Sequence, residues 1–331
     1  MKLIIQIPCL NEESTLPQTL ADLPRAIEGI DSIELLVIDD GSQDRTVEIA
    51  REFGVQHIVS FSSNRGLAAA FRAGLQKALE EGAGLIVNTD GDNQYNGADI
   101  EALVRPILDH QADMVIGDRQ ISKHKEFSPL KKVLQRLGSW VIGSLAGTPV
   151  PDATSGFRAY SRHAALQMNI LTQYTYTHET ILQAGLLGLK ITSVPIRVNP
   201  KTRQSRLFRS MSGYIRRSMA TILRIYLKYK ALKVFALLSL MPFLAGSAIG
   251  VRFFYFYIVG QGDGKVQSLI LCAVLLNLSF VLFVLGVLAD LIGFNRQLIE
   301  EVLVLERKRS LEHHGNDAGA SASKLPEENA P

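Results

Sequence analysis

Two apolar stretches near the C-terminus restrict this chain more than any other feature. Val234 to Val251 reads VFALLSLMPFLAGSAIGV, continued by RFFYFYIV, and Val266 to Leu288 reads VQSLILCAVLLNLSFVLFVLGVL. Each is long enough to cross a hydrocarbon core of about 30 Å as a helix. Core helices of a large soluble protein can share that composition, but two of them joined only by GQGDGK fit a membrane hairpin better. Arg216, Arg217, Arg224, Lys228, Lys230 and Lys233 precede the first stretch, and Arg296, Arg307, Lys308 and Arg309 follow the second. The connection holds one lysine and one aspartate, so the positive-inside rule predicts a cytoplasmic N-terminal domain and a cytoplasmic tail.

This divides the chain into residues 1–205 as a folded domain, 206–233 as basic amphipathic juxtamembrane helices, 234–289 as a two-helix hairpin, and 290–331 as a cytoplasmic helix and tail. Disorder is expected after Glu306, where the residues turn small and polar. LIIQIPCL at the start reads as a first strand rather than a signal peptide, since it runs into NEE with no small-residue cleavage site. Cys9 falls in that strand and Cys272 in an apolar stretch; they are not expected to pair, which fits a reducing compartment. A net charge of +3 is too small to indicate nucleic acid, and the basic residues beside the apolar stretches point to anionic lipid headgroups instead.

The first domain alternates short apolar runs (LIIQIP, IELLVID, HIVSF, GLIVN, DMVIG) with helical patterns at 14–30, 45–53, 66–81 and 98–110. That rhythm predicts an α/β fold with a mostly parallel sheet covered on both faces, and a ligand site outside the carboxyl ends of the strands. Polar clusters follow the strands in turn: CLNEE, DDGSQD, SSNRG and TDGDNQ. No GxGxxG follows the first strand and no GxxxxGK[ST] occurs, which disfavours a dinucleotide dehydrogenase and a P-loop ATPase.

Asp90 and Asp92 stand at i and i+2 directly after an apolar run. Two carboxylates aimed at one point repel unless a cation lies between them, and oxygen ligands select Mg²⁺ or Mn²⁺ with positions left open for substrate phosphates. Gln94 offers a further neutral oxygen. A calcium loop needs a glycine where Tyr95 stands and a helix, not a strand, before it. Asp39 and Asp40 end the second run, where carboxylates can accept from a nucleobase or ribose; Ser42 and Asp44 are accounted for as helix caps. Gly66 and Ala68 to Ala70 permit either close ligand approach or tight helix packing.

IPCLNEE, VIDDGSQDRT, NRGLAAAFRAGL, NTDGDNQ, VIGDR, PDATSGFRAYSR and ETILQAGLLGLKITSVPI occur together in this order. The ordered set resembles family 2 glycosyltransferases over about residues 3 to 207. It is most similar to the polyprenyl-phosphate branch, typified by dolichyl-phosphate mannose synthase and by bacterial transferases acting on undecaprenyl phosphate. The resemblance implies a GT-A nucleotide-sugar-binding fold and an inverting, Mg²⁺- or Mn²⁺-dependent transfer of a hexose to a polyprenyl phosphate. It implies a place in the cell inner membrane with two spans. Nucleotide-sugar contacts then fall to Pro8, Asn11, Glu12, Asp39, Asp40, Asn64, Gly66 and Asp90, and the metal site to Asp90, Asp92 and Gln94. Asp90, Asp92, Arg119, Asp152 and Glu179 become the catalytic set; Arg119, Arg203, Ser205 and Arg206 become the acceptor-phosphate set. The family's R-x-x-x-S pattern has no clean register in KKVLQRLGSW, so no ligand is assigned between Lys131 and Ser139. The partners implied are a nucleotide sugar, polyprenyl phosphate and membrane lipids, with no nucleic acid; self-association through the hairpin is compatible. Two alternatives stay open. One is transfer to a hydroxyl with Glu179 as general base, and the other is a processive polysaccharide synthase, whose Q-x-x-R-W signature the QRLGSW stretch does not match.

Overall fold

Apolar residues on both sides of every central strand leave one solution: a sheet buried on both faces. The computed structural model describes residues 1–120, 129–170, 176–200, 211–260 and 266–322. The strands are β1 (Lys2–Cys9), β2 (Ser32–Asp39), β3 (His57–Ser60), β4 (Leu85–Asn88), β5 (Met114–Asp118), β6 (Arg158–Ser161) and β7 (Ile191–Pro195). They form one sheet in the order β3-β2-β1-β4-β6-β5-β7. Pairings are parallel except that β6 runs antiparallel to both β4 and β5. The five predicted runs are all strands. The short β6 and β7 complete the sheet, and β6 makes it mixed.

Around it lie α1 (Leu16–Ala21), α2 (Thr46–Glu52), α3 (Leu67–Glu80), α4 (Ile100–Leu108), α5 (Pro129–Ala146), α6 (Arg162–Gln167) and α7 (Thr177–Leu186). The first helix stops at Ala21 rather than continuing to residue 30, since Pro24 and the left-handed Gly29 (φ 85°) interrupt the stretch beyond. Leu3, Ile4, Ile5 and Ile7 of β1, Leu36 to Ile38 of β2 and Leu85 to Val87 of β4 are fully buried. Two polar residues sit among them. Gln6 and Asn88 are register partners, and the Gln6 Nε2 donates to Asn88 Oδ1 at 2.9 Å. Gly74 of α3 leaves room for this pair, because a Cβ there would lie 2.6 Å from Gln6 Oε1. Strand order reverses between β1 and β4, the place where an open α/β sheet forms a crevice at its carboxyl edge.

The chain separates into two compact units, the described residues of Met1–Arg206 with Val304–Pro331, and Leu207–Leu303. The second unit is built from α8 (Met211–Ile258), kinked at Lys230, and the first part of α9 (Val266–Ala322). Both helices are long and apolar enough to cross a membrane. Small residues bring them close. Cβ atoms on Gly246 and Gly250 would lie 3.1 Å from Leu275 and 3.0 Å from the Cys272 sulfur, and the Ser279 hydroxyl donates to the Ser239 carbonyl at 2.8 Å. Leu237, Met241, Phe254, Ile270, Phe280 and Ile292 remain exposed on the outside. Helix α9 continues past Glu306, where composition predicts disorder, to Ala322. Within the first unit Arg307 anchors this extension by donating to the carbonyls of Leu166 and Met168 at 3.1 and 3.0 Å, at the C-terminal end of α6.

Candidate active site

At the carboxyl edge, three strand ends are stitched together by backbone groups. Pro8 lies in register with Ile38 near the end of β1. Asn11, in the left-handed region at φ 54°, donates its N–H to Ser42 Oγ at 2.8 Å and accepts the Gln43 N–H on Oδ1 at 2.8 Å. The N–H of Glu12 donates to Thr46 Oγ1, and its Oε2 accepts from the Thr15 hydroxyl, both at 2.8 Å. Asp39 is buried and accepts the Ser42 N–H on Oδ1 at 2.9 Å. Asp40 uses both oxygens on the loop after β3, accepting from Arg65 N–H at 2.7 Å and Gly66 N–H at 2.9 Å. Gly41 (φ 79°) makes that contact possible, as a Cβ there would fall 2.7 Å from the Ser63 carbonyl carbon. Asp40, expected to face the nucleotide, thus holds the loop that presents exposed Asn64 and half-buried Gly66.

The metal-site residues lie on the loop after β4. Asp90, Asp92 and Gln94 are half-buried. The Gly91 carbonyl lies 3.0 and 3.1 Å from the Thr15 and Thr19 hydroxyls, which fixes the loop against the start of α1. The Gln94 Nε2 donates to Asp92 Oδ2 at 2.8 Å and so orients the carboxylate, a contact that does not involve the Oε1 expected to act as an oxygen ligand. The Cys9 thiol registers how far the acidic groups converge. Burial pushes its pKa well up, and Glu12, Asp39, Asp90 and Asp44 push it further in the same direction.

Across the crevice, Arg119 at the end of β5 grips Asp152 with Nε to Oδ2 at 2.7 Å and Nη2 to Oδ1 at 3.0 Å, and reaches Thr154 Oγ1 at 2.6 Å. Asp152 is 1% exposed. Burial alone would raise its pKa, but the Arg119 charge and hydrogen bonds outweigh that and hold it below the ordinary value. Tyr95 lies in the field of both sides. Burial pushes its pKa up to about 12 with help from Asp90, against the opposing effect of Arg119. Its hydroxyl accepts the Gly156 N–H at 3.1 Å. A Cβ on Gly156 would sit 3.2 Å from Asp90 Oδ1, so the glycine keeps the Asp90 carboxylate uncrowded. Glu179 is buried in the first turn of α7. Arg203, Ser205 and Arg206 lie outside the described residues.

Sequence reasoning missed the support beneath these groups. Arg158, fully buried, donates to the carbonyls of Ser155, Thr177 and Ala153 and to Thr180 Oγ1 at 2.7 to 2.9 Å. It ties the Asp152 segment to the turn carrying Glu179. Asn88 Nδ2 lies 2.9 Å from both the Gly156 carbonyl and the Tyr176 hydroxyl, and Tyr176 stacks on Phe71 at 3.9 Å. The asparagine ending an otherwise apolar strand is the signal that could have revealed part of this support, whereas nothing in SGFR marks its arginine as buried.

This fold and edge have counterparts. The glycosyl transferase family 2 profile matches residues 4–167. The UDP-N-acetylglucosamine–dolichyl-phosphate N-acetylglucosaminyltransferase of Methanococcus voltae is 31% identical over 216 residues, covering 58% of this chain and 83% of that protein. The chain belongs to glycosyl transferase family 2. The undecaprenyl-phosphate mannosyltransferase of Micrococcus luteus is 28% identical to the glycosyltransferase over 206 residues, 59% of this chain and 83% of the relative. Among solved structures, glucosyl-3-phosphoglycerate synthase from Mycobacterium tuberculosis, in complex with Mn²⁺, uridine diphosphate and phosphoglyceric acid, superposes with a TM-score of 0.53. At 20% identity, over 67% of this chain and 78% of that one, it shares the GT-A fold.

Chemically the edge is asymmetric. Asp90 and Asp92 supply hard oxygen donors on one wall, and Arg119 supplies a cation on the other. Among the described residues no group of three or more His, Cys, Asp or Glu gathers to hold a metal. Two carboxylates flanking a glycine fit Mg²⁺ or Mn²⁺ that takes its remaining ligands from water and a diphosphate.

Proposed function

We propose that the glycosyltransferase moves a hexose from a nucleotide sugar to the phosphate of a membrane polyprenyl phosphate, with inversion at the anomeric carbon. The observation that carries this is the meeting of the Asp90–Asp92 wall and the Arg119–Asp152 pair in one electrostatic neighbourhood at the carboxyl edge. Relatives named for dolichyl-phosphate and undecaprenyl-phosphate transfer support the acceptor class. Helices long and apolar enough to cross a membrane support a lipid-borne acceptor in the cell inner membrane, with the catalytic unit on the cytoplasmic side.

Asp90 and Asp92, the latter held by Gln94, would hold Mg²⁺ or Mn²⁺, whose positive charge stabilises the leaving nucleoside diphosphate. Asp39, at the end of β2, receives the nucleoside, and Asp40 keeps Asn64 and Gly66 in place for it. Arg119, fixed in direction by Asp152 and Thr154, offers its charge to phosphate oxygens. Arg203, Ser205 and Arg206 are assigned to the acceptor phosphate on the resemblance alone. Glu179 orients the donor sugar. A phosphate monoester, with a second pKa of about 6, is already a nucleophile at neutral pH and needs no protein base.

The test is transfer from a panel of radiolabelled nucleotide sugars to lipid by the full-length protein. Polyprenyl phosphate should accept sugar, the matching polyprenol should not, and Glu179→Gln should leave more activity than Asp92→Ala does. Equal use of the polyprenol would overturn the acceptor and make Glu179 the general base of a hydroxyl transfer.

A further inference from the structure

One short stretch touches both walls of the crevice and has no part in the assignments above. It runs from Ile196 to Asn199, directly after β7. On one side the Ile196 N–H donates to the Asp118 carbonyl at 3.0 Å, one residue before Arg119. The Ile196 side chain covers Gly117, where a Cβ would lie 2.9 Å from its Cδ1. On the other side Val198 forms an antiparallel bridge with Tyr95. The Asn199 N–H donates to the Gln94 carbonyl at 2.9 Å, and Asn199 Nδ2 donates to the Asn93 carbonyl at 3.0 Å. Between these contacts Arg197 grips Asp99, just past the metal loop: its N–H donates to Oδ2 at 2.6 Å, and its Nε and Nη2 donate to Oδ1 at 2.9 and 2.7 Å.

The metal loop needs support from outside itself. Asn93, next to Asp92, is in the left-handed region at φ 54°, which is uphill for a residue with a side chain even though asparagine tolerates it best. Asn93 is buried and its Oδ1 has no partner among the described residues, so that oxygen does not brace the turn. Without a cation, two carboxylates at i and i+2 also repel and favour a more open loop. Both Asn199 bonds fall on the two residues that follow Asp92. One of these, Gln94, is the residue whose amide orients the Asp92 carboxylate.

We propose that Ile196 to Asn199 form a splint that fixes the metal loop against the strand leading to Arg119, and that Asn199 is a positioning residue for Asp92. It acts through Asn93 and Gln94, while Arg197 secures the far end of the same loop through Asp99. The splint thereby sets the spacing between the acidic wall and the Arg119 wall before any ligand arrives. Its purpose rests on the metal-dependent reading above, whereas its hold on the loop is measurable in the metal-free protein.

In the full-length protein, Asn199→Ala and Asn199→Asp both remove the Nδ2 donor, the second at nearly unchanged size, and Asn199→Gln keeps an amide on a longer arm. Amide hydrogen exchange of the metal-free protein is the first readout: the segment 90–96 should exchange about tenfold faster in the Ala and Asp variants, with β1 and β4 unchanged. The second is the Mn²⁺ concentration that half-maximally raises the melting temperature in the presence of uridine or guanosine diphosphate. It should rise about tenfold, the lower end of the ~10–100-fold expected when a group supporting a metal ligand is lost. Asn199→Gln should recover part of both shifts. Unchanged exchange at 90–96, or a lower melting temperature with an unchanged Mn²⁺ requirement, would overturn the proposal and leave Asn199 a purely structural residue. Should the Ala and Asp variants unfold, Arg197→Lys, which gives up part of the grip on Asp99, must show the same two shifts at smaller size; their absence would overturn the proposal equally. If Mn²⁺ and the nucleoside diphosphate leave the wild type unshifted, the metal assignment falls and exchange alone judges the splint. Both shifts alongside an inert polyprenyl phosphate would keep the splint and remove the acceptor assignment.

Discussion

Two acidic pairs end neighbouring parts of the same sheet, and they are treated in opposite ways. Asp39 and Asp40 are buried, and their described partners are backbone N–H groups of their own loop and of the loop after β3. Asp90 and Asp92 are half-buried, Asp92 is steadied by an amide side chain, and the Asp90 charge still acts on Cys9, Tyr95, Tyr176 and Arg119. A carboxylate satisfied by protein donors contributes to the fold. One whose field persists through the site is arranged for a positive ligand. The difference sets Asp40, both of whose oxygens accept from the backbone of the next loop, against Asp90 and Asp92, which on the proposed reading face a metal and a diphosphate.

The largest expected effect tests the second pair. Asp92→Ala should cut transfer by about a thousandfold or more, the scale of losing one preorganised charge at the leaving group, while the melting temperature of the apo protein stays level or rises because a repulsion is removed. Mn²⁺ with uridine diphosphate should raise the melting temperature of the wild type and not of the variant. A variant that loses activity only because it unfolds would erase the contrast between the pairs.

Asp40→Ala should do the reverse. It strands two N–H donors at the loop after β3 and should cost about 2–4 kcal/mol, given ~1.5–3 kcal/mol for a hydrogen bond to a charged group. Chemical denaturation measures this, and residual transfer should show a raised donor KM more than a lowered kcat. An Asp40→Ala protein as stable as wild type but inactive would move Asp40 back among the nucleotide ligands.

This second pair of roles marks where the sequence stops being legible. The alternation of apolar runs and polar clusters was enough for five strands, the crevice edge and the placing of Asp39, Asp90 and Asp92 along it, because local periodicity carries that information, whereas Arg119 was expected only from the resemblance to the family. Asp40 looks like Asp39 in sequence; only contact with Arg65 and Gly66, 25 and 26 residues away, turns it into a clamp. Arg158 is equally opaque, since three of its four acceptors are backbone carbonyls. β6 (RAYS) and β7 (ITSVP) are no shorter than β3 and β4, but their residues form no continuous apolar run, so neither stands out as a strand.

Asp152 extends the comparison to a third state, a carboxylate neutralised by an arginine, and the smallest predicted effect follows from it. Its folded pKa lies below the unfolded value of about 3.9, despite burial, because Arg119 favours the charged form. A depressed carboxylate contributes stability that is complete above the unfolded pKa and is lost as pH falls through the folded one. Arg119 keeps its own charge throughout, since Asp152 more than offsets its burial and raises its pKa. The wild type should therefore lose stability below about pH 4 more steeply than Asp152→Asn does, so that the gap between their denaturation midpoints narrows on acidification. Asp152→Asn starts from a lower stability, because it leaves a guanidinium that is only 19% exposed without its counter-charge. The narrowing, not the offset, is thus the informative quantity. Parallel curves would mean that the Arg119–Asp152 pair, for all its geometry, contributes no more charge-dependent stability than a solvated ion pair.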